Sequence, residues 1–209
     1  MSTNVVWSKS SVLPKDREAV LDQCGCVVWL TGLPGSGKST IATLLERDLI
    51  ASGHASFLLD GDNLRHGLCR DLTFSAIDRH ENIRRVSEVA KLFADAGIIT
   101  ITAFISPYEL DRNFAKETIG ANRFIETFID APLAECEKRD PKGHWKKARA
   151  GDIKDFTGID APFEIPSNPQ IHLDTFRFTP PKCVSKILEY LSVYIKRKDE
   201  DDKSITVKA

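Results

Sequence analysis

The octapeptide Gly32-Leu33-Pro34-Gly35-Ser36-Gly37-Lys38-Ser39 fits the pattern G-x-x-x-x-G-K-[ST], and it constrains the fold more than any other stretch of the chain. Such a loop works only between a buried strand and the first turn of a helix. There the backbone can wrap an anion with its N–H groups pointing inward, and the helix N-terminus adds partial positive charge. Both flanks are present. Cys26-Val27-Val28-Trp29-Leu30-Thr31 reads as a buried strand, and Ile41, Leu44, Leu45 and Leu49 recur at helical spacing until Gly53 stops the helix. The pattern points to a bound nucleoside triphosphate. Gly32, Gly35, Ser36, Gly37 and Thr40 would surround its phosphates, Lys38 would reach the β- and γ-phosphates, and Ser39 would ligate Mg²⁺.

The remainder alternates strand and helix. Residues 1–25 form an N-terminal extension with Val5, Val6 and Trp7 and a polar helical segment over 14–23. The domain proper is expected over 26–196, followed by a charged tail, 197–209, too polar to order itself. A second strand over 55–59 ends in Asp60-Gly61-Asp62-Asn63. Ser75 and Asp78 form an S-x-x-D capping box for a long helix that Gly97 stops, with Ile83, Val86, Val89, Ala90 and Phe93 as its apolar stripe. A third strand over 98–104 leads into Ile105-Ser106-Pro107, a polar helix runs from about Glu109 to Ile119, and a fourth strand over 123–129 ends at Asp130. A short strand near 171–173 and a helix carrying Val184, Ile187, Leu188 and Leu191 close the domain. This order predicts an α/β P-loop NTPase fold, three αβα layers around a mostly parallel sheet. In such sheets ligands sit beyond the carboxyl ends of the strands, which would gather the P-loop, Asp60, Asp62, Ser106 and Asp130. The Gly-punctuated basic stretch at about 139–158 has the place and composition of a lid.

Composition limits the partners. A net charge of −1 leaves no bulk field for duplex DNA or an anionic membrane, so neither nucleic acid nor membrane is expected as a partner. The five cysteines are odd in number and scattered, which fits reduced thiols in an intracellular protein. The cytoplasm is the first expectation for its compartment, with an organelle left open.

Among P-loop proteins, a GTPase switch would carry a guanine-reading N-K-x-D segment, and none occurs. A small-molecule kinase needs a carboxylate near the acceptor hydroxyl, anion-clamping arginines, and a lid that keeps the phosphoryl group from water. Candidates for all three are present. Asp62 is the candidate for orienting the acceptor hydroxyl, and Asp60 for the metal beside Ser39. Both are also ordinary capping residues, and residue type alone does not divide the two jobs between them. Arg65 and Arg79 are forked oxyanion donors, with Asn82 one turn beyond Arg79 on the same helix face.

Several blocks are more specific than the P-loop. Leu59-Asp60-Gly61-Asp62-Asn63-Leu64-Arg65-His66-Gly67-Leu68, Asp78-Arg79-His80-Glu81-Asn82-Ile83-Arg84-Arg85 and Lys91-Leu92-Phe93-Ala94-Asp95-Ala96-Gly97 are three of them. Phe104-Ile105-Ser106-Pro107-Tyr108, Arg139-Asp140-Pro141-Lys142-Gly143 and Phe156-Thr157-Gly158-Ile159-Asp160 complete the set. In this order they resemble the adenylylsulfate (APS) kinase family, and with Asn4-Val5-Val6-Trp7 the resemblance covers nearly the whole chain.

The resemblance implies transfer of the γ-phosphoryl group of MgATP to the 3′-hydroxyl of adenosine 5′-phosphosulfate, giving PAPS and ADP. It also implies a homodimer and functional coupling to ATP sulfurylase. APS contacts are implied at Asp62, Asn63, Arg65, Arg79, Asn82, Ile105, Ser106, Lys142 and Asp155, with Phe74 and Phe156 sandwiching the adenine. Arg139 and Arg149 would neutralise ATP phosphates. The counterpart of Ser106 in bacterial relatives has been assigned as a phosphoserine intermediate, but no base is recognisable as its partner here. Direct in-line transfer with Ser106 as a substrate contact is therefore the expectation. Cys69, Thr73 and His144-Trp145 depart from the family's usual residues. Plant relatives join an N-terminal cysteine to the one that opens the first strand; Ser10 stands in the place of the former, so no such switch is expected.

Overall fold

The structure, a computed structural model, describes residues 4–6 and 8–195. Trp7 and the tail expected over 197–209 lie outside the described residues. Five strands form one all-parallel sheet: β1 (Cys26–Thr31), β2 (Ser56–Asp60), β3 (Ile99–Ala103), β4 (Phe124–Asp130) and β5 (Ile171–Asp174), in the order β2-β3-β1-β4-β5. The central strand β1 is buried along its whole length, which explains its unbroken apolar sequence. Alternate side chains serve opposite faces. Cys26, Val28 and Leu30 pack with α2 (Lys38–Ala51) and with Cys183, Val184, Ile187 and Leu191 of α8 (Pro180–Ile195). Val27 and Trp29 pack with Ile83, Val86, Ala90 and Ala94 of α4 (Ala76–Asp95) and Ala115 and Ile119 of α5 (Glu109–Ile119). Three αβα layers result, as expected.

Local chemistry sets the ends of these elements. Ser75 caps α4 by accepting from the Asp78 N–H at 3.2 Å. The expected capping box is only half made. The Asp78 carboxylate passes over Ser75 and accepts instead from the backbone N–H of Thr73 at 2.8 Å and from the Thr73 hydroxyl. Those bonds tie the 70s loop to the helix start and hold the Asp78 carboxyl below the usual range. A short helix not foreseen from the sequence, α3 (Gly61–Arg65), follows β2 directly, because Asp60 supplies its N-cap through bonds from Asp62 N at 3.0 Å and Asn63 N at 3.4 Å. A short helix, α6 (Leu133–Arg139), leads into the basic stretch, which itself carries a second, α7 (His144–Arg149).

The N-terminal segment is attached at the other end of the sheet. There α1 (Pro14–Leu21) leads to Gln23, whose amide donates to Gly97 O at 2.7 Å and Ala55 O at 2.9 Å and accepts from Ala55 N at 2.8 Å. Cys26 has no accessible surface, and burial pushes its thiol up to about 12. Among the described residues no helix is long and apolar enough to cross a membrane.

Candidate active site

The loops after β1, β2 and β3 meet at one edge of the sheet and, with the 139–145 segment, line a cavity of about 400 Å³. The phosphate loop reaches it by turns that exclude side chains. Gly35 sits at φ +81°, and a Cβ there would lie 2.6 Å from Cys136 O, so α6 is pressed against the loop backbone. Ser36 is buried, and its carbonyl accepts from Thr175 Oγ1 at 2.8 Å and Arg139 Nη1 at 3.4 Å. Arg139 is held in turn by Thr175 O at 2.9 Å and Glu135 at 3.1 Å. Lys38 is 8% exposed; its Nζ donates to Gly32 O and Leu33 O, both at 2.8 Å. Burial pulls the pKa of this ammonium down to about 7. The lysine thus spends its donors on the carbonyls of its own loop.

Two aspartates after β2 divide their contacts. Asp60 caps α3 with one oxygen and accepts from Ser39 Oγ at 3.0 Å with the other. Asp62 makes no capping bond with its side chain; its carboxylate is half exposed, lines the cavity, and pairs with Lys142 Nζ from the basic stretch. Ser39 and Asp60 fit a hard divalent cation. Mg²⁺ commonly takes one or two protein oxygens and completes its shell with phosphates and water. The described residues hold no group of three or more His, Cys, Asp or Glu side chains that could cage a metal alone.

On the α4 side of the cavity, Arg65 stacks over the Phe74 ring at 4.2 Å and donates to Leu72 O and Thr73 O at 3.2 and 3.0 Å. Arg79 donates to Phe74 O at 2.8 Å and crosses to Thr157 Oγ1 at 2.9 Å and Asp155 O at 2.5 Å. Asn82 lines the same wall, 4% exposed, and its Oδ1 has no hydrogen-bond partner among the described residues. A buried carbonyl oxygen without a donor is costly, so the wall is built to receive one.

Ser106, 2% exposed, stands at φ +37° after β3. Its Oγ accepts from Trp29 Nε1 at 3.1 Å, and its carbonyl is gripped by the buried Arg112 at 2.9 Å. None of the contacts of its Oγ is to a histidine or carboxylate that could take its proton.

The cavity therefore brings together Gly35, Gly37, Lys38, Ser39, Thr40, Asp60, Asp62, Arg65, Phe74, Arg79, Asn82, Ile105, Ser106, Arg139 and Lys142. Ser36 and Gly32 lie just behind, as loop backbone. Asn63, Asp155, Phe156 and Arg149 are not on its wall. Arg149 pairs with Glu137 at 2.9 Å and 3.0 Å, and the Asp155 carbonyl holds Arg79. Phe74 is 57% exposed whereas Phe156 is buried edge-on to Trp145, so the two rings expected to sandwich a base are not face to face here. Sequence reasoning missed Thr175, Arg112 and Trp29. Each acts through a contact made across the fold, and nothing in its own neighbourhood along the chain marks it.

A family model described as adenylylsulphate kinase matches residues 24–174. The chain belongs to the adenylylsulphate kinase family. An adenylyl-sulfate kinase of Clostridium acetobutylicum is 59% identical over 190 residues, covering 91% of this chain and 94% of the relative. One of Marinobacter nauticus is 57% identical over 189 residues, covering 90% and 95%. Among solved structures, the Mycobacterium tuberculosis APS kinase in complex with AMPPNP and APS is 46% identical, with a TM-score of 0.78 over 81% of this chain and 99% of that one. These relatives share the P-loop kinase architecture, and the phosphotransferase chemistry to an alcohol acceptor belongs to the adenylylsulphate kinase family as a whole.

Proposed function

We propose that the cavity transfers the γ-phosphoryl group of MgATP to the 3′-hydroxyl of adenosine 5′-phosphosulfate, giving PAPS and ADP. One observation carries the assignment of roles. A single cavity joins a phosphate loop, with its lysine, to a carboxylate on α3 and an arginine-lined wall on α4. ATP phosphates lie on the P-loop, where Lys38 leaves the Gly32 and Leu33 carbonyls and turns to the β- and γ-phosphates. Ser39 and Asp60 would hold Mg²⁺, which would supply neutralisation of the charge on the transferring phosphoryl group. Arg139 flanks the nucleotide from α6. APS lies against Arg65, Phe74, Arg79 and Asn82, with Ile105 and the Ser106 hydroxyl beneath it. Asp62 accepts a hydrogen bond from the 3′-hydroxyl. As that oxygen bonds to phosphorus, the bond to the ADP oxygen breaks and the hydroxyl proton passes to Asp62 or solvent. Lys142, now on Asp62, moves to APS when the acceptor enters. The stretch 139–158 closes over both substrates and excludes water. Phe156, carried on that stretch, would then meet the adenine. Arg149 and Asn63 line no part of the cavity, which leaves them supporting roles.

A homodimer is the expected assembly; this chain matches 30% of the length of a hexameric APS kinase from Thiobacillus denitrificans, 29% identical with a TM-score of 0.64. Five free cysteines support a reducing intracellular compartment, with the cytoplasm as the first candidate. Supply of APS by ATP sulfurylase follows from the substrate proposed.

An acceptor panel tests this reading. ADP release in a coupled assay should depend on APS and stay slight with AMP, shikimate, gluconate or no acceptor. Equal turnover with AMP, which lacks the sulfate, would replace it with a nucleoside monophosphate kinase.

A second test uses Lys38. With its pKa pulled down to about 7 by burial, the amine is mostly neutral at pH 8. Phosphate oxygens favour the charged form and return the pKa toward the ordinary lysine value of about 10.4. Between those two values nucleotide binding therefore draws a proton from solvent. At pH 8 calorimetric enthalpies in buffers of different ionisation heat should report uptake approaching about one proton per nucleotide. Lys38→Met should abolish it; identical uptake in that variant would assign the proton to another group.

A further inference from the structure

Trp145 carries none of the roles above, yet it touches both halves of the cavity. Its side chain is 1% exposed and sits in a small third core with Ala131, Cys136, Ala148 and Phe156, separate from the two that flank the sheet. Three contacts fix it. The indole Nε1 donates to Pro34 O at 3.0 Å, in the middle of the phosphate loop. The ring meets Phe156 edge-on, centroids 5.0 Å apart at 75°. Its Cη2 lies 2.8 Å from where a Cβ on Gly158 would stand, so the turn at Gly158, φ +97°, presses directly on the indole. The residues on either side of Phe156 then hold Arg79 through Asp155 O and Thr157 Oγ1. An unbroken run of contacts thus leads from a phosphate-loop carbonyl to an arginine on the opposite wall.

The phosphate-loop end of this run has a reason to move. Lys38 Nζ is bonded to the carbonyls of Gly32 and Leu33, and Leu33 immediately precedes Pro34. When a phosphate chain takes those donors, the two carbonyls are released and the peptides beside them reorient. The indole anchored to the next carbonyl feels that change, and with it Phe156 and the grip on Arg79.

On the reading of the two walls given above, we propose that Trp145 is a positioning residue that makes them fill cooperatively: nucleotide on the phosphate loop tightens the binding of APS against Arg79. Coupling between sites is reciprocal, so APS tightens the nucleotide by the same factor. A residue that only fills the third core would lower thermal stability in a variant without changing that factor.

Calorimetry with the wild-type protein tests it first. APS affinity should rise at least about fivefold when Mg²⁺ and AMPPNP are present, the low end of ordinary coupling between sites. Trp145→Phe keeps a ring beside Phe156 and removes only the donor to Pro34. In that variant the ratio should fall toward one, while AMPPNP affinity without APS stays within about twofold. Melting and circular dichroism establish that the variant is folded; if it is not, Trp145→Leu, which keeps an apolar side chain in the third core and also lacks a donor for Pro34 O, should lower the ratio in its place. A wild-type ratio of one, or a full ratio in the folded variant, overturns the role of Trp145 and leaves the acceptor assignment standing. APS that binds the wild type in neither condition removes the acceptor assignment itself, and the coupling with it.

Discussion

Replacing Lys38 with alanine is expected to lower kcat by about 10²–10³, the usual loss for one preorganised donor aimed at charge in a transition state. The Gly32 and Leu33 carbonyls lose their donor, but the middle of the loop should keep its place, because other groups hold residues 35 and 36. Ser36 O is fixed by Thr175 and Arg139, and Gly35 is pressed against α6. The variant should therefore fold and melt as a normal domain. Removing a buried amine that is held down to about 7 also removes the desolvation burden it imposes on the fold. Single-turnover measurements with saturating APS isolate the chemical step. A variant with near wild-type kcat would mean that phosphoryl transfer takes place away from this loop.

The second large effect separates Asp62 from Ser106. Asp62→Asn keeps the size and much of the hydrogen bonding of the side chain but removes its charge and its capacity to take a proton. Positioned acid–base groups typically contribute 10²–10⁴-fold, so kcat should fall by about that range. Lys142 will lose its ion-pair partner in the same variant, but that pair is half exposed and its loss is worth little to the fold. Ser106→Ala should retain measurable turnover, because the Ser106 Oγ accepts from an indole and has no base at hand. Trapping a kinetically competent phosphoprotein labelled at Ser106 would reverse that order and establish a two-step route.

What could be read in the sequence was whatever is local and periodic. The strand β1 and the helix after the phosphate loop are legible because burial on both faces leaves an unbroken apolar run, and a one-sided helix leaves a stripe. The expected strand at 26–31 and the helix Glu109–Ile119 have the observed bounds. Strand edges elsewhere shift by a residue or so, since hydrogen-bond pairing and not apolar content sets where a strand stops. The short α3 escaped notice because five residues are too few for a period, although its cap, Asp60, was in view. Asp78 shows a second limit. Its spacing from Ser75 fits a capping box, yet Thr73 offers both a hydroxyl and an N–H, and the carboxylate goes there.

The cavity was legible through residue types that oxyanions demand, and this gathered most of its wall. Long-range geometry was not legible. Thr175 meets Ser36 across the sheet, Trp145 meets Pro34, and Arg149 turns away to Glu137. Family resemblance can propose that Phe156 faces a base, but it carries no information on the edge-on contact that ring makes with Trp145.

The buried thiol at the start of β1 bears on how the cell would govern such a catalyst. Disulfide exchange requires a thiolate and a path for the attacking sulfur. Cys26 has neither, being sealed in the central strand with its thiol raised to about 12. Oxidant and reductant therefore have no handle at this position, and a disulfide switch of the kind seen in the plant relatives has nothing to attack at Cys26.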